Sequence, residues 1–266
     1  MCTAVVSIGE SAVLVAGVRD EFVGRAWQPP GRHWPEYPGL IGGRDLLAGG
    51  TWLAVAPAAR RVACVLNARG RMAPPETRRS RGVLPLQAAA GERLNRAGVA
   101  DFDPFHLLTA EPGWAALASW DGERLTEREL PAGLHVIVNS GLGAGLLAAT
   151  GTGPGASLGR PEREIQANDH EAARAAYFLP RLRAVMPPDP LPGSPVEKAW
   201  GAWLTLLNGD GIGPADERAL IVRRDLGDGR VWGTTSISLV ALSLDGVRYD
   251  FNGKPGDPAS WYPVIP

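Results

Sequence analysis

Cys2, directly behind Met1 and at the head of the apolar run Thr3-Ala4-Val5-Val6-Ser7-Ile8, is the residue best placed to do chemistry. Methionine aminopeptidases remove an initiator methionine when the next side chain is small, so the mature chain is expected to begin with a thiol and a free α-amine on one residue. The thiolate is the reactive species, and an α-amine titrating near ~7.7–8 sits close enough to a cysteine at ~8.5 to accept its proton. Cys2 is thus a candidate nucleophile that carries its own base. Taken alone, the plainer reading of position 2 is a small hydrophobe; the neighbouring residues decide between them.

A second apolar run, Ala12-Val13-Leu14-Val15-Ala16-Gly17-Val18, follows Gly9-Glu10-Ser11 and ends in the charged cluster Arg19-Asp20-Glu21. Two such runs joined through a glycine-containing turn predict a hairpin. A two-residue turn at Gly9-Glu10 pairs Cys2 with Gly17 and puts Arg19 on its face. A three-residue turn pairs it with Val18 and puts Asp20 there instead. A guanidinium would favour the thiolate, and a carboxylate would hold a protonated amine.

Cys2, Arg19-Asp20-Glu21-Phe22 with Arg25 four residues past the glutamate, and Gly49-Gly50-Thr51-Trp52-Leu53 together resemble the NRDE family, which includes transport and Golgi organisation proteins. Leu66-Asn67, Val138-Asn139-Ser140 and Trp232-Gly233-Thr234 match in the same order, so the resemblance spans most of the chain. It implies an α+β, four-layer αββα sandwich with two stacked antiparallel sheets, as in N-terminal-nucleophile hydrolases. It also implies kinship to amidases that use a cysteine, an arginine, an aspartate and asparagines. Some members of the family have been linked to lipid or haem handling. The chain departs from the pattern at Val18, where the family has asparagine, and at Thr235, where Gly-Thr usually continues with arginine.

Composition agrees with one soluble domain over residues 1–266: 45 % hydrophobic and 21 % charged residues are ordinary globular proportions. A net charge of −1 supplies no field for nucleic acid or anionic lipid. Two cysteines are too few for a disulfide framework, and Cys64 within Val62-Ala63-Cys64-Val65-Leu66 reads as a core thiol, which fits a reducing cytoplasm. No stretch is apolar for long enough to span a bilayer.

Strands are expected at about 2–8, 12–18, 50–56, 61–67, 103–110, 114–120, 124–130, 133–139, 219–225, 230–243 and 247–252, and helices at about 83–97, 162–186 and 196–207. A hairpin turning through Pro57-Ala58-Ala59-Arg60 brings Asn67 level with Gly50, so Thr51 and Asn67 share a sheet end. If Cys2 lies at that end, Asn67 and Asn139 become candidate oxyanion donors. Taken alone, each reads better as a turn residue bonding its own backbone.

The glycine-rich stretch from Gly141 to Gly159 fails the dinucleotide pattern, because Leu146 occupies its last glycine site, and is expected to be a loop that could cover a ligand. Arg69, Arg71, Arg78, Arg79 and Arg81 follow Asn67 and could receive a carboxylate or phosphate. Only Lys198 and Lys254 are lysines among 27 cationic side chains, so a solvated arginine loop is the plainer reading. His33, His106, His135 and His170 have no metal-ligand spacing, and no metal or cofactor is expected. His106 reads as a hydrogen-bonded strand residue. Glu162, Glu164, Asp169 and Glu171 are expected to face solvent.

These residues predict a cysteine amidohydrolase acting on a small-molecule amide or acyl bond. Cys2 attacks, Arg19 and Asp20 tune it, and Asn67 and Asn139 hold the oxyanion. Glu21, Arg25, Thr51 and Thr234 support them. The alternative is a non-catalytic carrier of a lipid, acyl-CoA or haem on the same fold. Nothing in the sequence specifies an oligomeric state.

Overall fold

Strands β1 (Thr3–Ile8) and β2 (Ala12–Phe22) are apolar on both faces, which only a place between two covering layers can satisfy. A computed structural model, describing residues 2–142, 162–190 and 192–266 and only the backbone of 162–169, puts them there. They lie at the middle of an eight-stranded antiparallel sheet with β10 (Gly133–Val138), β11 (Gly141–Leu142), β12 (Arg223–Asp225), β13 (Val231–Ser243), β14 (Val247–Asn252) and β15 (Trp261–Ile265). The main path runs β11-β10-β1-β2-β13-β14-β15, with β12 paired to β13.

The second sheet is a seven-stranded antiparallel meander in chain order: β3 (Trp27–Gly31), β4 (Ile41–Asp45), β5 (Leu53–Ala56), β6 (Arg61–Asn67), β7 (Phe105–Glu111), β8 (Trp114–Trp120) and β9 (Leu125–Glu129). Val6, Val13, Val15 and Val240 of the first sheet meet Leu53, Val55, Val62, Leu108 and Leu117 of the second, forming the central core. Burying such side chains contributes about 1.5–3 kcal/mol each.

Helices cover the outer faces unequally. Phe178 and Leu182 of α2 (Glu162–Ala184), Trp200 of α3 (Val196–Trp200) and Trp203 and Leu207 of α4 (Ala202–Leu207) pack on Val5, Leu14, Ala16 and Leu239. On the second sheet, among the described residues, α1 (Leu84–Ala90) does this, with Leu84, Leu86 and Ala89 against Ala63, Phe105 and Leu107. The expected α+β sandwich of two stacked antiparallel sheets holds, with the fourth layer supplied by α1 among the described residues.

Several boundaries differ from expectation. The helix expected at 83–97 stops at Gly91, a left-handed cap with φ 88°, and the one at 196–207 is interrupted at Gly201. Strands β3, β4 and β15 escape the sequence pattern; Pro29-Pro30 inside β3 disguises an edge strand. The first hairpin pairs Ile8 with Val13 and Thr3 with Val18, its four-residue loop closed by Gly9 N–H to the Ala12 carbonyl at 3.0 Å. Both expected registers are therefore too short, and Cys2 lies level with Arg19. The second hairpin pairs Leu53 with Cys64, which leaves Asn67 level with Gly50 as expected.

Beyond Gly50 the chain is clamped by close approach. A Cβ at Gly50 would stand 2.4 Å from the Gly82 carbonyl carbon, and the Thr51 N–H donates to the Gly82 carbonyl at 2.9 Å. The turn at Ser80–Val83 is thereby docked on the start of β5. Gly50→Ala should cost about 2 kcal/mol, within the overpacking range, read as a lowered urea midpoint; an unchanged midpoint would show that the two backbones do not bear on each other.

Candidate active site

Thr3 pairs with Val18 on one side and with Val138 on the other, so one further step sets Cys2 between Arg19 and Asn139. Directly opposed residues share a face. The Cys2 N–H donates to Asn139 Oδ1 at 2.8 Å, and its sulfur lies 3.7 Å from the Asp20 carbonyl oxygen. Cys2 is partly exposed. It opens on a small cleft walled by Gly17, Arg19, Trp52, Cys64 and Leu66, of about 10 Å³, room for one water. Burial pushes the Cys2 thiol up and the Asp20 charge adds to this, while the positive amino terminus and Arg19 pull the other way.

Arg19 is buried, its guanidinium 4.5 Å from the centre of the Trp52 ring. It donates to Thr235 Oγ1 at 2.9 Å and to Asp45 Oδ2 at 3.3 Å, and lies 3.8 Å from Glu21. Thr235 reaches it because a β-bulge in β13 between Thr234 and Ser236 re-aims that residue. Arg25 joins Asp45 at 2.6 Å and approaches Glu21 at 3.7 Å, so two arginines and two carboxylates form a closed network. Burial opposes the Asp45 carboxylate, yet its bonds from Arg25 and the Ala48 N–H hold it below the usual range.

Asp20 takes the opposite face of β2. Its carboxylate accepts from Arg174 of α2 at 3.3 Å and from Thr234 Oγ1 at 2.7 Å, and Arg174 also donates to Thr3 Oγ1 at 2.8 Å. The Asp20 and Arg174 side chains are 0 % and 2 % exposed, a fully desolvated pair. It ties the helical layer to the strand ends beside Cys2.

Asn139 is braced twice. His106 Nε2 bonds the Asn139 carbonyl at 3.3 Å, with its Nδ1 on Ser119 Oγ at 2.8 Å, as expected of a strand histidine, and burial lowers its basicity. Glu171 Oε2 accepts the Ser140 N–H at 2.9 Å while Oε1 meets Arg69 at 3.1 Å. The solvent-facing expectation for Glu171 is overturned, since it is 1 % exposed and is the carboxylate that anchors the end of β10. The side chains of Glu162, Glu164 and Asp169 lie outside the described residues, as does the expected loop beyond Leu142.

Asn67 does not join the group. It is exposed and pairs with Phe105, whose side chain belongs to the outer core, so it shares that face while Cys64 and Leu66 face inward. A strand's two-residue period separates it from the cleft. Thr51 binds its own strand, donating to the Leu53 carbonyl at 2.8 Å. The arginine loop is not simply solvated: Arg69 meets Glu171, Arg78 meets Asp103 at 3.2 Å, Arg79 stacks on Phe102, and Arg81 donates to the Pro104 carbonyl at 2.8 Å. Among the described residues no cluster of histidine, cysteine and carboxylate could hold a metal ion.

Sequence reading missed Asp45, Trp52, Glu171 and Arg174. Asp45 lies in an unrecognised strand, Trp52 enters the sequence reading only through the Gly-Gly-Thr-Trp resemblance and not as a wall of the site, Glu171 is expected there to face solvent, and Arg174 carries no local signal. A larger concavity than the cleft at Cys2 lies elsewhere, a groove of about 760 Å³ on the outer face of the second sheet, lined by Leu107, Trp114, Ala116, Ala118 and mixed charges.

A family model described as Transport and Golgi organisation 2 matches residues 1–148. No curated protein matches the chain.

Arg174→Met would strand a buried carboxylate and should cost about 3–5 kcal/mol. Adding Asp20→Asn should recover part of that loss in the same urea titration. Additive losses would mean that the pair is not coupled.

Proposed function

The chain belongs to the Transport and Golgi organisation 2 family, and from that premise we propose that it is a hydrolase of a small-molecule amide or acyl bond, with Cys2 as N-terminal nucleophile. The observation that carries the reading is the backbone nitrogen of Cys2 held by Asn139 Oδ1 at 2.8 Å beside a sulfur that shares its cleft with Arg19. Removal of Met1 would turn that nitrogen into an α-amine.

Cys2 Sγ attacks the acyl carbon, the carbonyl electron pair moves onto oxygen, and the thiol proton passes to the α-amine. Collapse of the adduct expels the leaving amine, which takes that proton, and leaves a thioester on Cys2. Water then attacks the thioester with the α-amine as base, releasing the acid and restoring the thiol. The Asn139 Nδ2 group, bonded to nothing among the described residues, is the donor for the oxyanion, worth about 3 kcal/mol. Asn67 has no part in it. Arg19 contributes positive charge that favours the thiolate, and Asp20 acts through its carbonyl and its brace to α2.

A second reading has its own support. The groove on the second sheet is of ligand size, whereas the cleft at Cys2 holds about one water. On this reading the fold carries an amphipathic small molecule there, and the thiol is incidental.

N-acyl p-nitroanilides of graded acyl length distinguish the two. With Met1 removed, the hydrolase reading expects release of p-nitroaniline and a single acyl adduct on Cys2 by intact mass, both abolished by Cys2→Ala. Retained Met1, no adduct, and quenching of tryptophan fluorescence that is lost in Trp114→Ala would establish the carrier instead.

A further inference from the structure

Most of the charged side chains around Cys2 are matched in pairs. Arg19 and Arg25 are matched by Glu21 and Asp45, Arg174 by Asp20, Arg69 by Glu171, and Arg78 by Asp103. Arg81 has no carboxylate within ion-pair distance among the described residues. Among the described residues its guanidinium donates one hydrogen bond, from Nη1 to the neutral Pro104 carbonyl, leaving Nε and Nη2 uncommitted. It is also half-buried on the turn that Gly50 and Thr51 clamp, one residue from Trp52, which walls the cleft. Burial lowers its basicity; the charges that oppose this are Asp103, already paired with Arg78, and then Cys2 and Glu21, so the sulfur lies within its electrostatic reach.

A half-buried guanidinium without a counter-ion, held on a rigid turn, is a receptor for an anion, and its fork geometry suits a carboxylate. We propose that Arg81 makes the Cys2 site selective for acyl donors bearing a carboxylate close to the scissile bond. This rests on the reading of Cys2 as an accessible nucleophile. Arg81 acts by binding that carboxylate, while the bond-breaking stays with Cys2.

Two alkylating probes of nearly equal size test it without a known substrate. Iodoacetate carries a carboxylate and iodoacetamide is neutral; both transfer a carbon to sulfur and release iodide. The ratio of their rate constants at Cys2, measured by intact mass on the full chain, should exceed the ratio for free cysteine and fall as sodium chloride is added. Arg81→Met should lower that ratio roughly tenfold, the scale of one charge-assisted hydrogen bond, and Arg81→Lys should restore part of it. A purely structural role for Arg81 would slow or speed both reagents together.

If Cys2 reacts with both reagents and the native ratio is that of free cysteine, insensitive to salt, the anion site is refuted while the nucleophile stands. That measurement needs no variant and holds even if Arg81→Met fails to fold. If neither reagent modifies native Cys2 although both modify the unfolded chain, the nucleophile reading falls and the anion site falls with it.

Discussion

The register of β1 between β2 and β10 is the constraint on which the site depends. Pairing Thr3 with both Val18 and Val138 leaves residue 2 flanked by Arg19 and Asn139, with all three on one face. A slip of one residue would turn the apolar side chains of β1 to the wrong layers and part the sulfur from both neighbours. The register is secured because β1 is buried on both faces: Val6 must meet the second sheet and Val5 the helices. The packing that stabilises the centre of the molecule is therefore the same packing that places the thiol.

Around that centre, charge is kept in closed sets according to the face each side chain takes. Arg19, Arg25, Glu21 and Asp45 form one set on the cleft side, and Asp20, Arg174 and Thr234 another beneath α2. A buried unpaired charge costs several kcal/mol, so each set is complete within itself. Among the described residues the helical layer reaches the site through such polar contacts, Arg174 on Thr3 and Asp20, and Glu171 on Ser140, at the end of a sheet that is otherwise covered by apolar packing.

Much of this was legible from residue order. The two stacked antiparallel sheets are what the family resemblance implies, whereas the Pro57–Arg60 hairpin and its register, the pairing of Arg25 with Glu21, and the hydrogen-bonded character of His106 follow from local pattern. Cys64 is the core thiol its apolar run implies, and burial pushes its pKa well above the ordinary value. What was not legible depended on single-residue precision. The loop at Gly9–Ala12 holds four residues instead of two or three, which sets Cys2 against Arg19. Asn67 had the right sheet end but the wrong parity, a distinction that needs its pairing with Phe105. Glu171 looked like any polar helix residue because the backbone N–H it receives comes from a distant strand. Thr235, a departure from the family pattern, proved to be the bulge residue that bonds Arg19.

No helix of the described residues is long and apolar enough to cross a membrane, and the site is defined by the polar groups around Cys2. A crystal structure of the chain after removal of Met1 is the most direct test of them. The account predicts the Cys2 α-amine within about 2.7–3.2 Å of Asn139 Oδ1, with the sulfur on the Arg19 side. An amine frayed away from Asn139, or a sulfur turned to the helical face with Asp20, would contradict it.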